Sequence, residues 1–87
     1  MRAIISVVGK DHVGILAAIA NQCQKYDANI VDVSQTVLQE FFTMIMLVEM
    51  DNSQFLAFGD YLLEYGKNNN LKIHVMHEDI FNCMHTI

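Results

Sequence analysis

Apolar and polar positions recur with different periods along the chain, and each change of period predicts a new element. Residues 3–8 form a short β-branched run ended by Gly9, which is typical of a buried strand. From Gly14 onward apolar residues recur at helical spacing while polar residues such as Gln22 fill the opposite face, which predicts an amphipathic helix of about three to four turns. Asp11 precedes this helix and is expected to cap it or to complement its dipole. The apolar stripe consists of Ile15, Ile19, Cys23 and Tyr26.

Two strand patterns follow the first helix, and they differ in how many faces are apolar. In residues 30–38, Val31 and Val33 belong to an apolar side and alternate with polar residues, which is typical of an edge strand with one solvated face. Residues 41–48 are apolar at odd and even positions alike. This second pattern predicts a central strand that is covered on both faces.

A second helix, a fourth strand and a short tail complete the pattern. Residues 51–53 (Asp-Asn-Ser) are a helix start signal, and the helix is expected to end near Gly66 or within the polar run 67–70. Residues 71–76 alternate again and predict a strand. The tail is expected to form a short amphipathic helix or an ordered segment, with Asp79 as a possible cap. The stripes consist of Phe55, Phe58, Leu62 and Tyr65 in the helix and of Ile80, Met84 and Ile87 in the tail.

The order βαββαβ is that of the ferredoxin-like motif, an α+β sandwich in which one four-stranded antiparallel sheet carries both helices on one face. Right-handed crossovers force the two helices to the same side of the sheet. The other face has no helix to cover it, although strand three is apolar on both sides. We therefore expect residues 1–78 to form the domain, and residues 79–87 to pack on it or on a partner chain. A second copy, the tail, or both would cover the open face.

Composition points to one small domain that associates with copies of itself. A chain of 87 residues suffices for one domain and has little interior, yet 53% of its residues are apolar. Part of this apolar excess must lie on the surface, which favours a homo-oligomer, a dimer or a tetramer.

The charge balance narrows the choice of partners. The net charge of −5 comes from ten acids against five scattered bases, so the chain offers no basic patch for phosphates. Binding to nucleic acid or to an anionic membrane surface is therefore not expected. The chain also shows no signal-peptide pattern and no apolar run of about 18 residues, so we expect a cytoplasmic protein. Cys23 and Cys83 lack the spacing of a metal or redox motif and are expected to be buried or half-buried thiols.

The segment GKDHVGIL, residues 9–16, is the most informative short motif. Gly14 at the start of a helix permits close approach of a ligand or of another backbone. The free N–H groups and the positive end of the helix dipole favour a carboxylate or another anion. The simpler alternative is that Gly14 and Asp11 only form a tight turn and a cap.

Together with the βαββαβ order, this segment resembles the ligand-side loop of ACT domains, small regulatory modules that sense amino acids. Asp11, His12, Gly14, Ile15 and Leu16 fit the ACT pattern, while Val13 replaces its common proline. The pair Asn29-Ile30 resembles the polar-aliphatic pair that opens strand two in ACT domains. The resemblance covers residues 1–78. The segments DHVGI, NIVDVSQT and FFTMIMLV and the ending HEDIFNCMHTI further resemble free-standing bacterial and archaeal ACT proteins of unassigned function.

The resemblance implies a binding site shared between two chains. Asp11, His12, Val13 and Gly14 of one chain would enclose an amino-acid-like ligand with Asn29 and Ile30 of the other. Backbone N–H groups near Gly14 would hold the carboxylate, and the side chain of Asp11 or Asn29 would hold the ammonium group. Neither a cofactor nor catalytic residues are implied. The ligand-bound state would be read by an unidentified protein partner.

Three alternatives stand beside this interpretation. The first is a constitutive oligomerisation or adaptor module that has lost the ligand. An enzyme is less favoured, because Cys23 falls on a buried stripe and the first loop lacks both the arginine of acylphosphatases and the C-x-x-C of copper chaperones. His77-Glu78 and His85 would converge on a metal if the tail folded back on strand four. They lack a compact ligand spacing, so we expect no metal.

Overall fold

The computed structural model describes residues 1–10 and 13–85 and has the predicted ferredoxin-like fold. The order is βαββαβ with a further short helix at the end, as the sequence predicts. The elements are β1 (Arg2–Gly9), α1 (Ile15–Lys25), β2 (Asn29–Leu38), β3 (Phe41–Glu49), α2 (Asn52–Asn68), β4 (Lys72–His77) and α3 (Glu78–His85).

The four strands form one antiparallel sheet in the order β2-β3-β1-β4. This order places β3 in the centre and β2 at an edge, as predicted from their apolar patterns. One face of the sheet, called here the inner face, packs against α1 and α2. The predicted stripes of both helices join the inner-face residues of β1 and β3 in one core. That core includes Ala3, Ile5, Val7, Ile19, Cys23, Met44, Met46, Val48, Phe58 and Leu62.

The two long helices begin in different ways. At α2 the Asp51 carboxylate accepts a hydrogen bond from the Ser53 backbone N–H at 2.9 Å, which confirms the predicted start signal and lowers the pKa of Asp51. At α1 the N-cap residue is Gly14, which has φ +76°. Among the described residues no side chain caps this helix start. Asp11, the predicted cap, lies outside the described residues.

One position in α1 and one in β2 differ from the sequence-based expectation. Gln22 was predicted on the solvent side of α1 and is buried. The β2–β3 register shifts between Ile30 and Asp32, so Ile30 and Val33 both pack against the core while Val31 is exposed. A β-bulge of this kind inserts one residue and reverses the alternation beyond it. Val31 and Val33 therefore do not share a face, contrary to the prediction.

The face of the sheet turned away from α1 and α2, called here the outer face, is only partly covered. On β3 the side chains of Phe41 and Ile45 are 45% and 39% exposed, so a single chain covers this strand on one face and not on the two that were predicted. On β1, by contrast, the outer-face residue Ile4 is only 6% exposed. The outer face therefore has an open part and a closed part.

The closing helix α3 contacts β1 and β4. Its first residue Glu78 forms an ion pair with the outer-face Arg2, with Nε and Oε2 3.4 Å apart. Ile80 was predicted to belong to an apolar stripe; it is 56% exposed, and the neighbouring Phe81 is half-buried instead. The division of the chain at residue 78 stays a prediction. No helix in the described part of the chain is long and apolar enough to cross a membrane.

Candidate functional site

The loop between β1 and α1 presents an open helix start. Gly14 has φ +76°, a conformation that L-residues with side chains rarely adopt. Apart from its two chain neighbours, no described residue has an atom within 4 Å of the position that a Cβ would take. Backbone geometry, and not crowding, therefore favours glycine here. Val13 beside it is 83% exposed. Asp11 and His12, the other two candidates from this loop, lie outside the described residues.

The electrostatics of this helix start favour an anion. The first backbone N–H groups of a helix have no partner within the helix, and the dipole places partial positive charge there. The first turn of α1 carries no acidic residue that would complement this charge. The Gly14 carbonyl is already used, because it accepts the Ala18 N–H at 3.0 Å. Among the described residues no side chain caps this helix start, and backbone N–H groups at such a position are of the kind that suits a carboxylate.

The second half of the candidate site lies at the start of β2. Asn29 is exposed and pairs with Glu49, while Ile30 is half-buried and packs against the core. The bulge follows directly after Ile30. Asn29 therefore presents its amide at the beginning of an edge strand, while Ile30 anchors the strand to the core.

One chain does not bring the two halves together. Gly9, which leads into the loop, pairs with Phe42, whereas Asn29 pairs with Glu49 and Glu49 in turn pairs with Arg2. The loop and Asn29 thus lie at opposite ends of the sheet. At about 3.3 Å per residue, the seven steps of β1 separate these ends by about 23 Å. A ligand the size of an amino acid cannot touch both halves in one chain.

The two cysteines have different surroundings. Cys23 is buried with its Sγ 3.8 Å from the Met46 Sδ, and burial raises the pKa of its thiol to about 11. Because the thiolate is the nucleophilic form, Cys23 is inert near neutral pH. Cys83 is exposed, contrary to the prediction of a buried or half-buried thiol, because it lies on the solvent side of α3.

His77 is engaged in the start of α3. Its Nδ1 accepts the Asp79 backbone N–H at 3.0 Å and lies 3.6 Å from the Asp79 Oδ2. The side chain that caps α3 is therefore His77, and not Asp79 as predicted. The side chain of His85 lies outside the described part of the structure, so its predicted convergence with His77 stays a prediction. Among the described residues no group of three or more His, Cys, Asp or Glu could hold a metal ion.

A shallow depression on the outer face was not foreseen from the sequence. It is lined by Asp32, Val33, Ser34, Ile45 and Leu47 and has a volume of about 120 Å³. Small-molecule pockets have roughly 300–1,000 Å³, so this one accepts a single side chain at most. The apolar residues at odd-numbered positions of β3 indicated part of its lining, namely Ile45 and Leu47. Its rim depends on the bulge in β2, which periodicity does not reveal.

Comparison with known proteins shows one family along nearly the whole chain. A family model described as the ACT domain matches residues 2–76. The UPF0237 protein YjhC of Lactococcus lactis is 44% identical over 87 residues, which cover all of both chains. A UPF0237 protein of Methanosarcina acetivorans is 46% identical over 88 residues, which cover 99% of this chain and 96% of that one. A solved structure, an ACT domain protein from Streptococcus pneumoniae, is 41% identical, covers 93% of each chain and superposes with a TM-score of 0.81.

Proposed function

The chain belongs to the ACT domain family, and this membership suggests a regulatory ligand-binding module. We propose that it binds a free amino acid or a similar small ligand at a subunit interface. The ligand-bound state is then read by a partner protein. The observation that carries the proposal is the separation of the two half-sites by the length of the sheet. A site built from both halves needs two chains.

The exposed edge of β2 supplies a way to bring the half-sites together. β2 bonds to β3 on one side and forms the edge of the sheet on the other. It is ten residues long and contains neither proline nor lysine, the residues that commonly block edge pairing. Antiparallel pairing of two β2 strands about a twofold axis puts the start of one beside the end of the other. Asn29 then lies at the end of the partner's sheet from which the partner's loop emerges.

The chemistry of the two halves fits the two ends of an amino acid. The open start of α1 at Gly14 offers backbone donors and positive dipole charge to the carboxylate. Across the interface, the side-chain oxygen of the exposed Asn29 accepts from the ammonium group, and the Asp11 carboxylate is a second candidate for this role. His12, Val13 and Ile30 are proposed as neighbours of the ligand side chain.

Enclosure of the ligand by two chains couples its concentration to assembly. A ligand that binds only the dimer stabilises it by about 2.7 kcal/mol at a hundredfold excess over Kd. This is about a hundredfold shift in the association constant. We propose that the module acts by binding in the cytoplasm and not by catalysis, since the buried Cys23 is not a usable nucleophile.

The test is a thermal-shift screen of the full chain against the twenty amino acids, with mass followed by light scattering. We expect a selective rise in melting temperature for one amino acid or a close group of them. The double variant Asp11→Ala/Asn29→Ala should lose this rise. The matched control Asn52→Ala/Asp60→Ala removes the same groups from the exposed surface of α2 and should keep it.

A second candidate function is a constitutive oligomerisation or adaptor module without a ligand. The observation in its favour is the exposed apolar surface of β3, where Phe41 and Ile45 would drive association with no ligand present. A flat amino-acid panel combined with a stable oligomer would select this candidate over the sensor. An adaptor should also be indifferent to the Asp11→Ala/Asn29→Ala change.

A further inference from the structure

One side of α2 carries two exposed leucines. Leu56 and Leu63 are 76% and 46% exposed. With about 3.6 residues per turn, they lie on the opposite side of the helix from Tyr61. The ring of Tyr61 faces that of Tyr26 at the end of α1, with the centroids 6.1 Å apart. The two leucines are therefore on the side of α2 that is turned away from α1, toward the β4 edge of the sheet.

Gly59, which lies between these leucines, fixes their height relative to β4. A Cβ at Gly59 would lie 3.9 Å from the Cβ of Val75, so the two residues have the same height along the sheet. Leu56 precedes Gly59 by three residues and Leu63 follows it by four, which is about 4.5 and 6 Å along the helix. The two leucines thus flank the height of Val75 almost symmetrically.

Val75 is also the centre of the hydrogen-bonding groups that β4 directs outward. Met1 and Met50 exchange both of their backbone hydrogen bonds, at 2.8 and 2.9 Å. Because bonded and non-bonded pairs alternate in antiparallel ladders, the odd-numbered residues of β1 bond to β3 and the even-numbered ones to β4. Ser6 accordingly bonds to His74. The odd-numbered residues of β4, with Val75 in the middle, therefore direct their N–H and C=O groups away from β1, toward the edge of the sheet.

We propose that two copies of this chain pair side by side through β4 and α2, about a twofold axis that passes between Val75 and its counterpart. The axis is perpendicular to the sheet, so the two sheets of four strands join into one antiparallel sheet. The two α2 helices run antiparallel on the same face, and Leu56 of each copy meets Leu63 of the other. The edge of β4 and the leucines of α2 share this axis, and such self-complementarity is what a twofold contact requires.

The dimensions of the two layers allow both contacts at once. Two helices about 10 Å apart over four strands about 4.8 Å apart place α2 about 5 Å from the new axis. The two α2 helices are then about 9–10 Å apart, which is a normal distance for packed helices. A side about 25 Å long and about 20 Å thick buries roughly 500 Å² per copy, or about 1,000 Å² in total. This area is near the lower limit for a specific interface, so the pair is expected to be concentration-dependent.

The charges around this interface are largely complementary. The twofold axis places Lys72 opposite the partner's Glu78 on the outer side of the β4 edge. On α2 it places Lys67 beside the partner's Asp51. Asp60 lies near the axis and meets its own counterpart, so one like-charge contact opposes the pair.

This interface uses the opposite edge of the sheet from the one proposed for the ligand site. The dimer leaves one β2 edge open at each of its two ends. An amino acid that closes two β2 edges would therefore join such dimers into longer assemblies. That last step rests on the proposed function, whereas the pairing through β4 and α2 needs no ligand.

The first test is disulfide cross-linking of the full chain with no amino acid present. The background is Cys83→Ser, which removes the exposed native thiol. Asp60→Cys places a thiol near the axis, and Glu64→Cys is the matched control, the same kind of change one turn further along the exposed surface of α2. A disulfide needs Cα atoms within about 7 Å, so we expect the dimer to form many times faster with Asp60→Cys. Adding Leu63→Asp should abolish this difference, and equal rates at both positions would overturn the pairing.

The second test is sedimentation velocity over a range of protein concentrations, with circular dichroism to check the fold of each variant. Leu63→Asp should weaken association several-fold, whereas Leu16→Asp, an equal change at an exposed position of α1, should leave it unchanged. Asp60→Asn removes the like-charge contact and should strengthen association, a gain that unfolding cannot produce. A wild-type chain that stays monomeric, or association that neither Leu63→Asp nor Asp60→Asn alters, would contradict the pairing. Neither test contains an amino acid, so a flat amino-acid panel would count against the proposed function alone.

Discussion

The inner and outer faces of the sheet are built from the same strands but differ in how far their side chains are buried. Along β3, Met44 and Met46 face inward and are fully buried, while Ile45 between them faces outward and is 39% exposed. Both faces carry apolar residues. The difference lies in the elements that cover them. In the described part of the chain α1 and α2 pack on the inner face, while the short α3 contacts only β1 and β4 among the strands. The inner face is thus the part that makes the fold stable, and the outer face is the part left for association.

The largest expected effect comes from removing one aromatic side chain from the inner core and comparing it with removal of one from the outer face. Phe58→Ala empties a fully buried position of the inner core and should lower the free energy of unfolding by about 3–5 kcal/mol. Phe41→Ala removes a side chain that is 45% exposed on the outer face, and should cost less than about 1.5 kcal/mol in the dissociated chain. Urea denaturation at low protein concentration measures both. Equal losses would contradict the difference between the faces.

A smaller effect tests how closely the inner layer is packed. Gly66→Ala in α2 would place a Cβ 2.7 Å from the Leu71 backbone oxygen, so we expect a loss of about 1–3 kcal/mol. Gly59→Ala in the same helix meets only the Val75 Cβ at 3.9 Å and should instead stabilise by about 0.5–1 kcal/mol through helix propensity. Opposite signs in thermal unfolding would support this account, and a loss at both positions would contradict it.

The smallest effect is expected at an exposed cap, away from both faces. The hydrogen bond from Ser53 holds the pKa of Asp51 below its ordinary value of 3.8, so the carboxylate stabilises the fold above that pH. This contribution is lost as the pH falls through the lowered pKa of the folded state. Asp51→Asn keeps a cap oxygen and cannot titrate. The stability difference between the wild type and this variant should therefore decrease on acidification from pH 6 to pH 2.5, and a constant difference would exclude the cap as its source.

Much of the fold follows from local pattern. The two long helices, the four strands and their order are all confirmed, because amphipathic stripes such as Ile15, Ile19 and Cys23 carry the helical period in the sequence itself. The Asp51 cap is confirmed for the same reason, since a cap needs only residues two or three positions apart. The ACT resemblance of residues 1–78 also rests on contiguous motifs and agrees with the family match over residues 2–76.

What the sequence by itself determined was therefore which residues form each element, and how the elements follow one another. Tertiary structure alone decided the reversed alternation at Val31, the burial of Gln22 and the capping of α3 by His77. It also decided that Gly14 and Asn29 lie at opposite ends of one sheet. The physical reason is that periodicity is a property of neighbours along the chain. Register, burial and the ends at which strands meet depend on contacts between segments distant in sequence.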